Sequence, residues 1–298
     1  VPPVEEVPVP PDLRLHVISD YDLDEVFRFI NPVMLYNRHL GFKGEFEKAL
    51  AEGQSKAVEL HEAVAEVQAF MVAHPDLHAR AVYRFFPANS EGDLLHIFSS
   101  DRRRVLATFH FGRQSDPPYL CLSDFTLPLD SGRADYVCMF ATTIGPAVRQ
   151  LAEEWKAAGD YLRSHILQVL ALEGAEAFAE LLHQKIREMW GFPDPPGLSM
   201  QDLFKARYRG IRVSFGYPAC PRLEDQVILF ELLEVTKHIG VHLTEGYMMD
   251  PEGSVSALVF HHPEARYFRL TEPDLERLER AIAQERRKTE EIAQPLVS

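Results

Sequence analysis

The segment 205–221 constrains the fold most, because it contains two glycines and two prolines, residue types that interrupt regular structure. Its sequence is KARYRGIRVSFGYPACP. Gly210 and Gly216 permit backbone angles or close approaches that other residues resist. Pro218 and Pro221 fix φ and lack amide donors, so the run after Gly216 cannot belong to a central strand. The pattern therefore predicts a short strand over 210–214 and then an irregular loop. Such a loop suits a small, polar, partly aromatic ligand, although a plain proline-rich connection has the same composition.

Composition narrows the class of protein. The 298 residues are 46% hydrophobic and 26% charged, as in ordinary globular proteins of one large or two small domains. A net charge of −14 argues against a nucleic-acid partner, since phosphate binding needs a basic surface. No run approaches the roughly 18 apolar residues of a membrane span. Three cysteines without metal-ligand spacing predict no metal site and a reducing, cytoplasmic setting.

Residues 1–12 contain five prolines, which predicts a semi-rigid extended linker rather than part of a core. A linker at this position leads us to expect a preceding domain, so that 13–298 would be one domain of a larger protein.

The remaining periodicity predicts an α+β domain. Apolar residues recur at helical spacing over 22–30, 45–72, 146–190, 222–239 and from 271 onward. Aromatic and β-branched runs with turn residues between them predict an antiparallel meander over 81–86, 93–98, 105–109, 119–125 and 134–142. A hairpin is predicted between 241–247 and 254–261. Few strand–helix–strand alternations are present, which favours α+β over a doubly wound fold.

The string from Arg212 to Pro221 resembles a known signature, Arg-x-x-x-Gly-Tyr-Pro-Ala-Cys-Pro. It marks the activation (reactivation) domain of cobalamin-dependent methionine synthase. Further similar strings follow the family order between about Asp22 and Arg269: Phe86-Pro-Ala-Asn89, Ala134-Asp-Tyr136, Phe140-Ala-Thr142, Glu176-Ala-Phe-Ala-Glu180, Glu231-Leu-Leu-Glu234 and Ser254-Val-Ser256. The resemblance implies a single C-shaped α+β domain that binds S-adenosylmethionine.

The resemblance also implies a reaction and partners. In this family, inactive cob(II)alamin takes one electron and the methyl group of S-adenosylmethionine, giving methylcobalamin and S-adenosylhomocysteine. The cobalamin is carried by a neighbouring domain of the same polypeptide, and this chain lacks the Asp-x-His-x-x-Gly cobalamin motif. The electron donor implied is a flavodoxin- or ferredoxin-type protein.

By the same resemblance, Arg212 is the partner of the ligand carboxylate, a role that suits a bidentate guanidinium. Ser214, Gly216 and Tyr217 match the segment that contacts the nucleoside and methionine parts, and Tyr217 would also lie near the corrin as a positioning residue. Tyr267 and Phe268 match a second ligand segment.

Two further positions carry weaker implications. The family has an acidic residue near the methionine ammonium, and the matching Asn31 can accept a hydrogen bond but brings no charge. Glu176 matches a residue that faces the cobalamin-carrying domain. On spacing alone, however, Glu176, Glu180, His183 and Arg187 form a polar stripe that is typical of a solvated helix face.

Other interpretations stay open at this point. Cys220 precedes a predicted helix start, where a thiolate could be stabilised as a nucleophile, although a structural role is favoured. The pair His261-His262 lacks the companions of a zinc site. No phosphate-binding loop and no Gly-x-Gly-x-x-Gly after a strand is present. The alternatives are a self-sufficient small-molecule methyltransferase and a non-catalytic module that senses S-adenosylmethionine.

Overall fold

A central antiparallel sheet organises the chain. The computed structural model describes residues 1–293, with side chains through residue 287. Within these residues, the strands are β1 (His16–Tyr21), β2 (Ala79–Glu91), β3 (Leu94–Phe98), β4 (Val105–His110), β5 (Tyr136–Thr143), β6 (Ile211–Val213), β7 (His242–Leu243), β8 (Met249–Asp250) and β9 (Ser254–Phe260). The order in the main sheet is β4-β3-β2-β5-β9-β6, and β1 pairs with β2.

The long strand β2 joins the two halves of this sheet. Its first part pairs with β1, where His16 faces Tyr83, and its last part pairs with β3, where Ala88 faces Ile97. Along its other edge it pairs with β5. Because side chains alternate across a strand, Phe85 packs in one hydrophobic core and Phe86 packs in the core on the opposite face. The sheet is therefore covered on both faces.

Helices pack on both faces of the sheet. They are α1 (Leu23–Phe27), α2 (Phe46–Ala51), α3 (Ser55–Ala73), α4 (Ala147–Ala157), α5 (Tyr161–Met189), α6 (Met200–Phe204), α7 (Gln226–Leu232), α8 (Val235–Ile239) and α9 (Glu272–Ala293), with a π-helix at Val33–His39. Helices α3 and α5 pack in one core, and α7 and α8 pack in the other. The Asp160 side chain accepts the amide of Arg163 and so begins α5. Helix α5 packs against α4, α3 and β5, and it contributes part of the wall of the site described below.

The mixed helix and antiparallel-sheet class is as predicted, but two predicted elements are wrong. The segment 119–125 forms no strand; it holds a 3₁₀ turn, Leu122–Phe125, because the Asp124 carboxylate accepts the Cys121 amide and binds Arg113. The predicted hairpin is also wrong, since β7 pairs with β8 and β9 lies between β5 and β6. Every residue of β9 is buried, which suits a central strand better than a hairpin arm.

Residues 1–12 lie along the domain surface. The carbonyl oxygen of Pro2 faces His262 Nε2 at 3.0 Å, Glu5 accepts a bond from Arg133, and Pro8 accepts one from the Trp190 indole. A linker role for this segment stays a prediction. Among the described residues, no helix has both the length and the apolar character needed to cross a membrane.

Candidate functional site

Arg212 occupies the middle of the short edge strand β6, opposite Val259 of β9. Its neighbours Ile211 and Val213 are buried in one core, so strand alternation turns Arg212 to the other face, toward α5. The Tyr267 hydroxyl donates a 2.7 Å hydrogen bond to the Arg212 carbonyl oxygen. The backbone at Arg212 is therefore held by β9 on one side and by Tyr267 on the other.

The loop after β6 closes into a tight turn. The Gly216 amide donates to the Cys220 carbonyl oxygen at 2.8 Å, and the Cys220 amide donates to that of Tyr217 at 2.9 Å. The Leu270 amide binds the Pro218 carbonyl oxygen and ties the turn to the segment before α9. This turn leaves the Tyr217 side chain 55% exposed while Cys220 is buried.

A cavity of about 350 Å³, which we call the loop cleft, opens beside this turn. Its lining joins three parts of the chain that are far apart in sequence: α5, the end of β6 with the turn after it, and the segment before α9. The predicted site residues that line it are Glu176, Arg212, Ser214, Tyr217, Tyr267 and Phe268. Gly216 lies behind the turn, where a side-chain carbon would come within 2.9 Å of Leu223.

A second cavity of about 460 Å³, which we call the helix cleft, lies between α5 and the π-helix region. Arg212, Tyr217 and Glu176 line both cavities, so the two clefts adjoin at these residues. Asn31 and Glu180 line only the helix cleft. Asn31 therefore lines a different cavity from Tyr267 and Phe268, and the two cavities share Arg212.

The Arg212 side chain is paired with α5. Its Nη1 donates to Glu180 Oε2 at 2.7 Å and to the Tyr208 hydroxyl at 3.3 Å. Glu180 is only 6% exposed, and its other oxygen, Oε1, has no hydrogen-bond partner among the described residues. The guanidinium is therefore fixed at the junction of the two clefts by a buried carboxylate.

A buried polar layer supports this pair. Arg187 binds Asp194 through two 2.6 Å hydrogen bonds and stacks on the Tyr208 ring, 3.7 Å from its centre. His183 packs against the same ring and finds no hydrogen-bond partner for either nitrogen within residues 1–293. Burial, with Arg187 and Arg212 nearby, lowers the pKa of His183 well below its usual value. His183 is therefore neutral at pH 7, which avoids a third cation beside the two arginines.

The interpretation of the α5 stripe as a solvated face is wrong for three of its four members. Glu180, His183 and Arg187 are buried, and only Glu176 is exposed. The stripe is covered by Tyr208, Asp194 and Arg212, whose positions no helical periodicity could reveal. Sequence reasoning also missed His39 of the π-helix, whose Nε2 lies 2.8 Å from Glu173 Oε1 in the wall of the helix cleft.

The sequence and fold can be compared with those of known proteins. The family described as "Vitamin B12 dependent methionine synthase, activation domain" matches residues 22–286. The chain belongs to this family of activation domains. A solved structure, the crystal structure of the MetH reactivation domain bound to AdoHcy, is 32% identical with a TM-score of 0.85. That match covers 93% of this chain and 88% of the other. The family predicted from the sequence is therefore confirmed.

Glu176 and Tyr217 are close enough in the activation domain to influence each other electrostatically. Partial burial in the cleft raises the pKa of Glu176, an effect opposed by Arg212 and reinforced by Glu180. The Glu176 carboxylate in turn raises the pKa of the Tyr217 phenol, as does burial. Both side chains are nonetheless exposed at the mouth of the clefts. They form a polar and aromatic rim that faces solvent.

The remaining candidate groups are Cys220 and the pair His261-His262. Burial, together with Asp225, raises the pKa of Cys220, so a nucleophilic thiolate is disfavoured. His261 is fully buried with its Nε2 2.6 Å from Asp135 Oδ1. Among the described residues no cluster of three or more metal-ligating side chains occurs.

Proposed function

We propose that this activation domain binds S-adenosylmethionine across the loop cleft and the adjoining helix cleft. Arg212 holds the ligand carboxylate, because its guanidinium sits where the clefts meet and offers charge-assisted donors. Ser214, Gly216 and Tyr217 provide the turn beside the ligand, and Tyr267 and Phe268 line its opposite side. The observation that carries this proposal is the loop cleft itself, which unites residues predicted from two distant segments.

The solved relative supports the same ligand class. It is bound to AdoHcy, the compound left when S-adenosylmethionine gives up its methyl group, and it is similar over 93% of this chain. The aromatic lining of the loop cleft suits the adenine ring, and the charged junction suits the amino-acid end.

The methyl acceptor in this proposal is cobalamin held by a neighbouring domain of the same polypeptide. One electron from a flavodoxin- or ferredoxin-type donor and the methyl group of S-adenosylmethionine together convert inactive cob(II)alamin to methylcobalamin. S-adenosylhomocysteine is released. The activation domain binds and orients the ligand. Such positioning can lower the activation barrier of methyl transfer by roughly 7–11 kcal/mol without an acid, a base or a nucleophile. The reaction would serve methionine biosynthesis in the cytoplasm.

The exposed rim of Glu176 and Tyr217 is the surface we assign to the cobalamin-carrying partner. Tyr217 lines both clefts and is 55% exposed, so it can contact bound ligand and an incoming corrin at once. We propose a positioning role for Tyr217 and a docking role for Glu176.

The ligand assignment is tested by calorimetry with S-adenosylmethionine and S-adenosylhomocysteine. Arg212→Ala should weaken binding by about one to two powers of ten, since a hydrogen bond to a charged group contributes roughly 1.5–3 kcal/mol. Arg103→Ala is the matched control, because the Arg103 side chain is 85% exposed. Equal affinities for the wild type and Arg212→Ala would refute the assignment.

The acceptor assignment is tested by product formation under strong reduction. We expect no S-adenosylhomocysteine from the isolated chain and production once a cobalamin-loaded module is added. Turnover without that module would instead establish a self-sufficient methyltransferase. Binding without turnover even when the module and reductant are present would establish a sensing module.

A further inference from the structure

The pair formed by Arg212 and Glu180 presents both charges at one point of the helix cleft. We propose that the two residues together recognise the zwitterionic amino-acid end of the ligand, with Arg212 on the carboxylate and Glu180 on the ammonium group. This inference rests on the function proposed above and names a binding residue, Glu180, that the sequence did not assign. In this arrangement Glu180, rather than Asn31, contacts the ammonium group of the ligand.

The unsatisfied oxygen of Glu180 is the first observation. Oε2 is used by Arg212, whereas Oε1 has no donor in the part of the chain that the structure describes. A carboxylate oxygen that is buried without a donor is costly, and such atoms are rare in native proteins. Glu180 forms part of the helix-cleft wall. A ligand ammonium, which carries only donors, would supply the missing partner.

Charge complementarity is the second observation. Arg212 Nη1 and Glu180 Oε2 lie 2.7 Å apart, so opposite charges are in direct contact. In an α-amino acid the ammonium and carboxylate are attached to a single carbon and are similarly close. Such a ligand can therefore lie on the pair with each charge facing its opposite. A carboxylate alone would bind Arg212 but leave Glu180 Oε1 unsatisfied.

The other acceptors of the helix cleft are less suited. The Asn31 side-chain oxygen already accepts the Val33 amide at 3.0 Å, and its nitrogen can only donate. Glu173 is engaged by His39, and Glu176 lies exposed at the rim. Glu180 is the buried, charged acceptor that remains in this wall among the described residues.

The test compares S-adenosylhomocysteine with its deamino analogue, in which hydrogen replaces the amino group. The measured quantity is the ratio of the two dissociation constants. In the wild type the analogue should bind roughly 10- to 100-fold more weakly. Glu180→Gln should reduce this ratio by about tenfold, because a neutral amide replaces a charged acceptor. The glutamine oxygen can still accept from Arg212, so the carboxylate contact is retained.

Two variants serve as comparisons. Glu188→Gln makes the same charge change at an exposed position of α5 and should leave the ratio unchanged. Asn31→Ala should also leave the ratio unchanged. If Glu180→Gln fails to fold, this variant still tests whether Asn31 makes the ammonium contact instead of Glu180. A ratio that collapses in Asn31→Ala, or persists in folded Glu180→Gln, overturns the role of Glu180. Absence of any S-adenosylhomocysteine binding to the wild type would instead overturn the proposed function.

Discussion

Gly210 lies so close to Phe260 that a side-chain carbon at position 210 would be 2.3 Å from the Phe260 carbonyl oxygen. Its φ of +80° also falls in the left-handed region that other residues rarely adopt. The contact lies where β6 meets β9, two residues before Arg212. Position 210 therefore requires glycine if β6, the strand that carries Arg212, is to pair with β9.

Gly210→Ala should therefore cost about 3 kcal/mol of unfolding free energy, because backbone strain and a steric clash act together. Gly159→Ala is the matched control, since Gly159 has a φ of +84° and open space around it. The control should lose only the strain contribution of about 1–2 kcal/mol. Urea unfolding of both variants measures the difference, and equal losses would contradict the clash.

The buried pair of Arg187 and Asp194 should be important for stability. Asp194→Asn leaves a fully buried guanidinium without its counter-charge, which costs about 3–5 kcal/mol. Glu234→Gln removes one side of an exposed pair with Lys237 and should change stability by less than about 1 kcal/mol. Thermal or denaturant unfolding gives both values. A small effect of Asp194→Asn would mean that solvent reaches Arg187.

The hydroxyl of Tyr267 should contribute modestly to ligand binding by fixing the Arg212 backbone. Tyr267→Phe removes the 2.7 Å hydrogen bond and should weaken S-adenosylhomocysteine binding by about 2- to 10-fold. Tyr119→Phe removes a hydroxyl from an equally exposed ring, 53% in both cases, and should have no effect. Calorimetry distinguishes them; identical affinities for the two variants would show that strand pairing alone holds Arg212.

His183 should make the stability of the domain depend on pH. Above about pH 6.5 a histidine is neutral in both the folded and unfolded states. Below that value the unfolded state binds a proton, whereas the lowered pKa of His183 prevents this in the folded state. Stability should thus fall by about 1.4 kcal/mol per pH unit, until the folded-state pKa is reached.

The measurement is the change in unfolding free energy between about pH 7.5 and about pH 5.5. His183→Asn should reduce this change by about 1.4 kcal/mol relative to the wild type. His165→Asn is the control, because His165 is exposed on the same helix and should leave the change unaltered. If His183→Asn retained the full pH dependence, the proton would be bound elsewhere.

Local chemistry was enough to predict the loop after β6. Proline and glycine act within a few residues, so the end of the strand and the exposed Tyr217 followed from the sequence. The family signature extended this to Tyr267 and Phe268, which the structure does bring to the same cleft as Arg212. Their contacts with ligand stay predictions.

The partners of the α5 stripe could not be predicted in this way. Helical spacing shows which residues share a face but not what covers that face. Glu180 meets Arg212 from 32 residues away, and Arg187 meets Tyr208 by stacking. Similarly, the sequence of 254–260 alone fits a hairpin arm and a central strand equally well. Only long-range packing distinguishes the two.

The position of β9 has a consequence for how the domain is synthesised. This strand pairs with β5, and Ser254 bonds to Thr143 across 111 residues of sequence. It also supplies the only strand partner of β6 in the described sheet. The segment that carries Arg212 thus leaves the ribosome before the strand that orders it. Pairings so distant in sequence are slow to form. A chain interrupted before β9 would lack a binding site even with every residue from Asn31 to Tyr217 present.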